Sequence, residues 1–124
     1  MNKSSKVIPM YLLSPAGEDL LNVAAGRRFG TILADPPWQF QNRTGKVAPE
    51  HKRLSRYGTM TLEEIKRLPV APVAADTAHL YLWVPNALLP DGLEVMRAWG
   101  FQYKSNLVCP SDRTTPIALH GTAN

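Results

Sequence analysis

The stretch Phe29-Gly30-Thr31-Ile32-Leu33-Ala34-Asp35-Pro36-Pro37-Trp38 decides the fold class. Phe29 to Ala34 is a short apolar run, which predicts a buried strand. Asp35-Pro36-Pro37-Trp38 ends it. Two consecutive prolines fix φ and remove two N–H donors, so neither a helix nor a strand ladder continues through them. A carboxylate therefore sits just beyond the carboxyl end of a strand, where ligand sites of open α/β sheets lie.

Working outward, Glu18 to Ala25 predicts a short helix with Ser14 or Pro15 near its start, ended by Gly26 and the basic pair Arg27-Arg28. On the other side, Gln39 to Gly58 has no periodicity. It carries Arg43, Lys46, Lys52, Arg53 and Arg56 against the single acid Glu50, and a loop of this length without its own structure is usually functional or disordered. Thr61-Leu62-Glu63-Glu64 reads as a capping box that opens a helix running to about Leu68, stopped by Pro69. Ala78 to Val84 predicts a second buried strand. Asn86 and Pro90 are candidate helix starts, followed by Leu89, Leu93, Met96 and Trp99 on one face and Gly100 as the stop. Gln102 to Val108 predicts a third strand. This alternation implies α/β layers with parallel pairing. Cys109 to Asn124 shows neither helical nor strand periodicity, and no further strand is expected there. The chain thus divides into an N-terminal extension (1–28), a partial domain (29–108) and a divergent tail (109–124).

The chain has 124 residues, 44% hydrophobic and 19% charged, which suits one folded domain rather than a disordered chain. Fourteen Lys and Arg against ten Asp and Glu give a net charge of +4, a lean toward a polyanionic partner. The single cysteine, Cys109, excludes an internal disulfide and a Cys-cluster zinc site. His51, His79 and His120 share no ligand spacing, so no metal is assigned. No apolar run reaches membrane-span length, and Val7 to Leu13 is too short and too broken by Pro9 for a signal peptide. A cytoplasmic protein with no membrane partner is expected.

The chemistry of Asp35 to Trp38 suits an exocyclic base amine. Such an amine is a poor nucleophile because its lone pair is delocalised into the ring. A carboxylate and a backbone carbonyl can accept its two N–H hydrogens, which holds the amine and favours a pyramidal nitrogen. The prolines aim the carbonyl between them. The neighbouring indole offers a face for stacking a flipped base.

Ile32 to Trp38, then Tyr57-Gly58-Thr59-Met60, Leu80-Tyr81-Leu82-Trp83-Val84 and Trp99-Gly100-Phe101 together resemble the N6-adenine methyltransferases of the DPPW type. The resemblance runs from about Phe29 to Val108. It implies a Rossmann-like α/β sandwich that uses S-adenosylmethionine and methylates adenine in DNA or RNA. It implies that Asp35, Pro36, Pro37 and Trp38 form the catalytic turn, with Asp35 also toward the cofactor, and that Tyr57 and Trp83 border the substrate pocket. The loop cations Arg43, Lys46, Lys52, Arg53 and Arg56 correspond to the family's mobile active-site loop and fit phosphate contacts, which position nucleic acid without reading sequence.

The residues also allow plainer readings: core packing for Trp83 and, more so, Trp99, and a solvated loop for the basic cluster. The family's glycine-rich cofactor loop has no counterpart, and Cys109 stands where the family has Trp. The chain therefore reads as the N-terminal portion of the sandwich, either a methyltransferase or a non-catalytic nucleic-acid-binding or partner subunit, alone or in a homo- or hetero-oligomer, or an inactive fragment. A partial sheet is expected to leave one face uncovered and to be marginally stable.

Overall fold

A computed structural model of the chain describes residues 13–39, 58–108 and 117–124. Helix α1 (Pro15–Ala24) begins earlier than the apolar pattern alone indicates, because Ser14 caps it: its hydroxyl accepts from the Gly17 N–H at 3.1 Å, and Pro15 occupies the first turn. The helix ends where Ala25 and Gly26 turn to positive φ (52° and 79°), and the Arg27 guanidinium donates to the carbonyls of Ala24 and Val23 at 3.0 and 3.1 Å.

Strand β1 (Phe29–Ala34) follows, then the short helix α2 (Leu62–Lys66). The capping box read from the sequence is present in both directions: Glu64 N–H donates to the Thr61 hydroxyl at 3.2 Å, and Thr61 N–H donates to the Glu64 carboxylate at 3.4 Å. Strand β2 (Ala74–Val84) starts four residues before the expected Ala78 because Ala74 pairs with Phe29, with the extra residues between Ala74 and His79 bulging out of β2. Helix α3 (Leu89–Ala98), strand β3 (Gln102–Val108) and strand β4 (Ile117–Ala123) complete the order.

Among the described residues the sheet has four strands in the order β1-β2-β4-β3. Parallel pairing holds for β1 with β2, whereas β4 lies antiparallel to both β2 and β3. The expectation for residues 109–124 is corrected here: the tail supplies an interior strand. Ile117, Ala118, Leu119 and Gly121 of β4 are buried, since an interior strand is covered by neighbours on both sides and no simple alternation marks it. The connection β2–α3–β3 carries the chain back parallel to β2 but one strand away, and β4 fills the gap. The expectation of a buried first strand is also corrected. Among the described strands β1 lies at the edge of the sheet, with Leu33 68% exposed.

One face of the sheet is covered. Leu80, Leu82 and Val84 of β2 and Leu119 of β4 are fully buried with Val95, Met96 and Trp99 from α3 and its cap and with Ile65 of α2. Two glycines permit the close approach of α3. A Cβ on Gly92 would stand 2.9 Å from Val84 Cγ2, and one on Gly121 would stand 2.6 Å from Met96 Sδ. The other face carries the alternate residues: the register sets Leu33, Tyr81, His120 and Ser105 in one row and Trp83, Ala118 and Leu107 in the next. Leu107 is 59% exposed, whereas Ala118 in the same row is buried. No helix among the described residues is long and apolar enough to cross a membrane.

Candidate active site

The carboxyl end of β1 leads into the Asp35–Trp38 turn, and three hydrogen bonds fix the turn. Trp38 N–H donates to the Pro36 carbonyl at 2.9 Å, and Met60 N–H donates to the Pro37 carbonyl at 2.9 Å, so that Trp38 and Met60 form an isolated parallel bridge. The Trp38 indole N–H then donates to the Trp83 carbonyl at 2.9 Å. The fourth sequence block joins through another indole, with Trp99 N–H donating to the Ile65 carbonyl at 2.9 Å. Segments distant in sequence thus meet through main-chain groups held by two tryptophans. Gly58 enters this arrangement at φ +71°, a conformation that glycine adopts without the Cβ clash other residues meet.

The turn borders an open cleft of about 590 Å³ beside the carboxyl-terminal half of β1. Asp35, Pro36, Pro37, Thr59, Met60 and Glu64 line it together with Ser14 and Pro15 of the α1 start, and Ile32, Leu68, Val70, Val73 and Trp99 contribute apolar walls. The size falls within the range of small-molecule pockets. Asp35 is exposed, and among the described residues no hydrogen bond occupies its carboxylate. Pro36 is buried, and its carbonyl accepts one internal hydrogen bond, leaving one of two acceptor positions. The turn therefore presents a free carboxylate beside a fixed carbonyl.

Asp35, Pro36 and Pro37 stand together on the cleft as the sequence implies. Trp38 does not. Its side chain is 9% exposed and belongs to the hydrophobic core, so it has no open face for a base, and its N–H anchors the turn instead. Trp83 is half-buried and is absent from the cleft lining. Its side chain lies in the row with Ala118 and Leu107 on the uncovered sheet face, and only its carbonyl reaches the turn. Trp99 is core, at 2% exposure, in keeping with the plainer reading. Tyr57, Arg43, Lys46, Lys52, Arg53 and Arg56 lie outside the described residues. Ser14, Pro15, Thr59 and Glu64 also line the cleft, with no sequence signal that marks them as site residues. Ser14 and Glu64 already carried a local explanation as helix caps, and nothing local distinguishes a cap that faces a cleft.

A parallel strand ending in Asp-Pro-Pro-Trp, bridged to a Gly-Thr-Met segment beside a cleft, defines a partial Rossmann-like methyltransferase sheet. The chain belongs to the MT-A70 family, whose sequence model matches residues 29–111. It is 32% identical over 88 residues to the human N(6)-adenosine-methyltransferase catalytic subunit METTL3, covering 71% of this chain and 13% of that protein. It is 24% identical over 117 residues to the type II methyltransferase M.MunI of Mycoplasma sp, covering 83% of this chain and 47% of that enzyme. It is also 32% identical over 102 residues to the Arabidopsis thaliana N6-adenosine-methyltransferase non-catalytic subunit MTB, covering 80% of this chain and 12% of that one. The chain therefore spans less than half the length of each of these relatives, which include both catalytic and non-catalytic subunits.

Proposed function

We propose that this chain carries the amine-holding part of a methyltransferase that uses S-adenosylmethionine and modifies the N6 amine of adenine in nucleic acid. The observation that carries this reading is the pairing of the unoccupied Asp35 carboxylate with the Pro36 carbonyl on the cleft, in a turn immobilised by the Trp38–Trp83 hydrogen bond. The two acceptors take the two N–H hydrogens of the amine, which directs its lone pair away from the ring plane. The Asp35 carboxylate is then placed to receive the proton that the amine loses. Because the backbone groups are fixed beforehand, little reorganisation is needed as charge develops.

The cleft fits S-adenosylmethionine in volume, and Asp35 provides an anionic group for its sulfonium end, while the walls are apolar. When bound, it supplies the electrophilic methyl group. The basic segment holding Arg43, Lys46, Lys52, Arg53 and Arg56 supports phosphate contacts, so nucleic-acid binding should weaken steeply with salt. A cytoplasmic location fits this reading.

The test is transfer of labelled methyl from S-adenosylmethionine to adenine-containing DNA and RNA, comparing wild type with Asp35→Asn. Transfer that survives the substitution refutes the assignment. A second reading, a non-catalytic partner subunit in a hetero-oligomer, is favoured by the resemblance to the plant subunit. It predicts salt-sensitive nucleic-acid binding by a folded chain that shows no cofactor binding by calorimetry.

A further inference from the structure

The cleft carries a charge opposite to that of the chain. The whole sequence has a net charge of +4, yet Asp35 and Glu64 both line the cleft, and no Lys, Arg or His joins them there among the described residues. Apart from Ser14 and Thr59, the rest of the lining is apolar. Two carboxylates with no cation beside them favour a ligand that brings positive charge of its own, and they disfavour a phosphate.

Glu64 is held in place although it is exposed. It is the third residue of α2 and closes the capping box: its Oε1 accepts from the Thr61 hydroxyl at 3.1 Å and from the Thr61 N–H at 3.4 Å. Its other carboxylate oxygen makes no hydrogen bond or ion pair among the described residues. The cap is also tied to the Asp35–Trp38 turn, because Thr61 follows Met60, whose N–H donates to the Pro37 carbonyl at 2.9 Å. The neighbouring Glu63 differs on both counts. It pairs with Lys66 at 3.4 Å and does not line this cleft.

We propose that Glu64 is a specificity-determining residue, an anionic group for the sulfonium of the methyl donor that makes the cleft distinguish the donor from its spent form. The inference rests on the proposed function, in which the cleft takes S-adenosylmethionine and Asp35 holds the adenine amine. The methyl to be transferred must lie beside that amine, so the sulfonium lies at the turn, the end to which the Glu64 cap is tied. Asp35 alone would serve both the amine and the sulfonium, and Glu64 adds a fixed negative charge without competing for the amine. The donor is a cation at sulfur, whereas S-adenosylhomocysteine, left after transfer, is a neutral thioether there. Both keep the same ammonium and carboxylate. A carboxylate acting on sulfur therefore favours the donor alone, and one acting on the ammonium favours both equally.

The test is Glu64→Gln, because glutamine also serves as the third residue of a capping box. The cap stays and the charge goes. S-adenosylmethionine and S-adenosylhomocysteine are each titrated by calorimetry into the full chain, as wild type, Glu64→Gln and Glu63→Gln, the last removing the same charge one residue away. Glu64→Gln should bind S-adenosylmethionine about two- to fivefold more weakly, the range of an exposed ion pair. Its affinity for S-adenosylhomocysteine should be unchanged, and Glu63→Gln should match wild type for both. The gap between wild type and Glu64→Gln should close as salt is raised, since an exposed charge is screened. Equal loss for the two ligands, which a structural role or an ammonium contact would give, overturns the assignment and leaves the proposed function standing. No loss for either ligand does the same. A folded wild-type chain that binds neither ligand overturns the donor-binding reading of the cleft, and this assignment with it.

Discussion

The two faces of this sheet differ in what made them. The covered face is assembled from Leu80, Leu82, Val84 and Leu119 against Val95, Met96 and Trp99, all nearly or fully buried. The open face alternates with it residue by residue, yet carries His79, Tyr81, Trp83 and His120 between Leu33 and Leu107, the last two largely exposed. Burial makes the first face sensitive to shape, because a cavity there has nothing to fill it. The second answers mainly to side-chain chemistry where it is exposed, as at Leu33, His79 and Leu107. The Asp35–Trp38 turn sits at the boundary: Asp35 is exposed while Trp38, three residues later, is core.

The largest expected effect is on chemistry at that boundary. Asp35→Asn should lower methyl transfer by roughly 10²–10³-fold, the range for removing one group that stabilises the transition state, with an unchanged melting temperature. A drop in melting temperature of matching size would make Asp35 a structural cap instead. Next come the covered-face truncations. Leu80→Ala and Leu119→Ala should each destabilise by about 2–5 kcal/mol in denaturant unfolding. Because Leu119 belongs to β4, a negligible effect there would remove β4 from the interior of the sheet.

Trp38→Phe keeps most of the apolar volume but deletes the donor to the Trp83 carbonyl. Leaving that acceptor unpaired should cost about 1–3 kcal/mol. It should also lower the turnover number more than it raises the Michaelis constant, since the turn is loosened without loss of a binding surface. A stacking role for Trp38 would show the opposite split, with tyrosine or phenylalanine retaining activity. The smallest effect is on the open face: Leu33→Lys should change stability by no more than about 0.5 kcal/mol while reducing self-association measured by light scattering, as expected for a charge on an exposed edge strand. A large loss of stability would mean that this face is packed against something after all.

Much of the architecture was legible because its signals are local. The Thr61–Glu64 capping box, the Pro-Pro stop after β1 and the apolar face of α3 each depend on residues a few positions apart. The position of the Asp35–Trp38 turn at a strand end was legible for the same reason, with Asp35 and Pro36 on the cleft. Trp38 and Trp83 stand outside the cleft lining, which no local signal reveals, because an indole suits a base, a core or a sheet face equally well and only packing distinguishes them. β4 was missed because Ile117-Ala118-Leu119-His120-Gly121-Thr122-Ala123 has small residues where α3 and its neighbours press closely, as at Gly121 under Met96. That leaves no alternation for a periodicity argument to find.

By itself, the sequence determined the identity of the turn, its place at a strand end, the helix caps and the family resemblance, all of which are written in contiguous or regularly spaced residues. Only the tertiary structure decided that the tail enters the sheet between β2 and β3, that Trp38 serves as an anchor, and that His79 and His120, forty-one positions apart, face each other at 3.1 Å. The physical reason is register: a shift of one residue between β2 and β4 would send each side chain to the opposite face. Long-range pairing sets that register, and no local stretch of the chain encodes it.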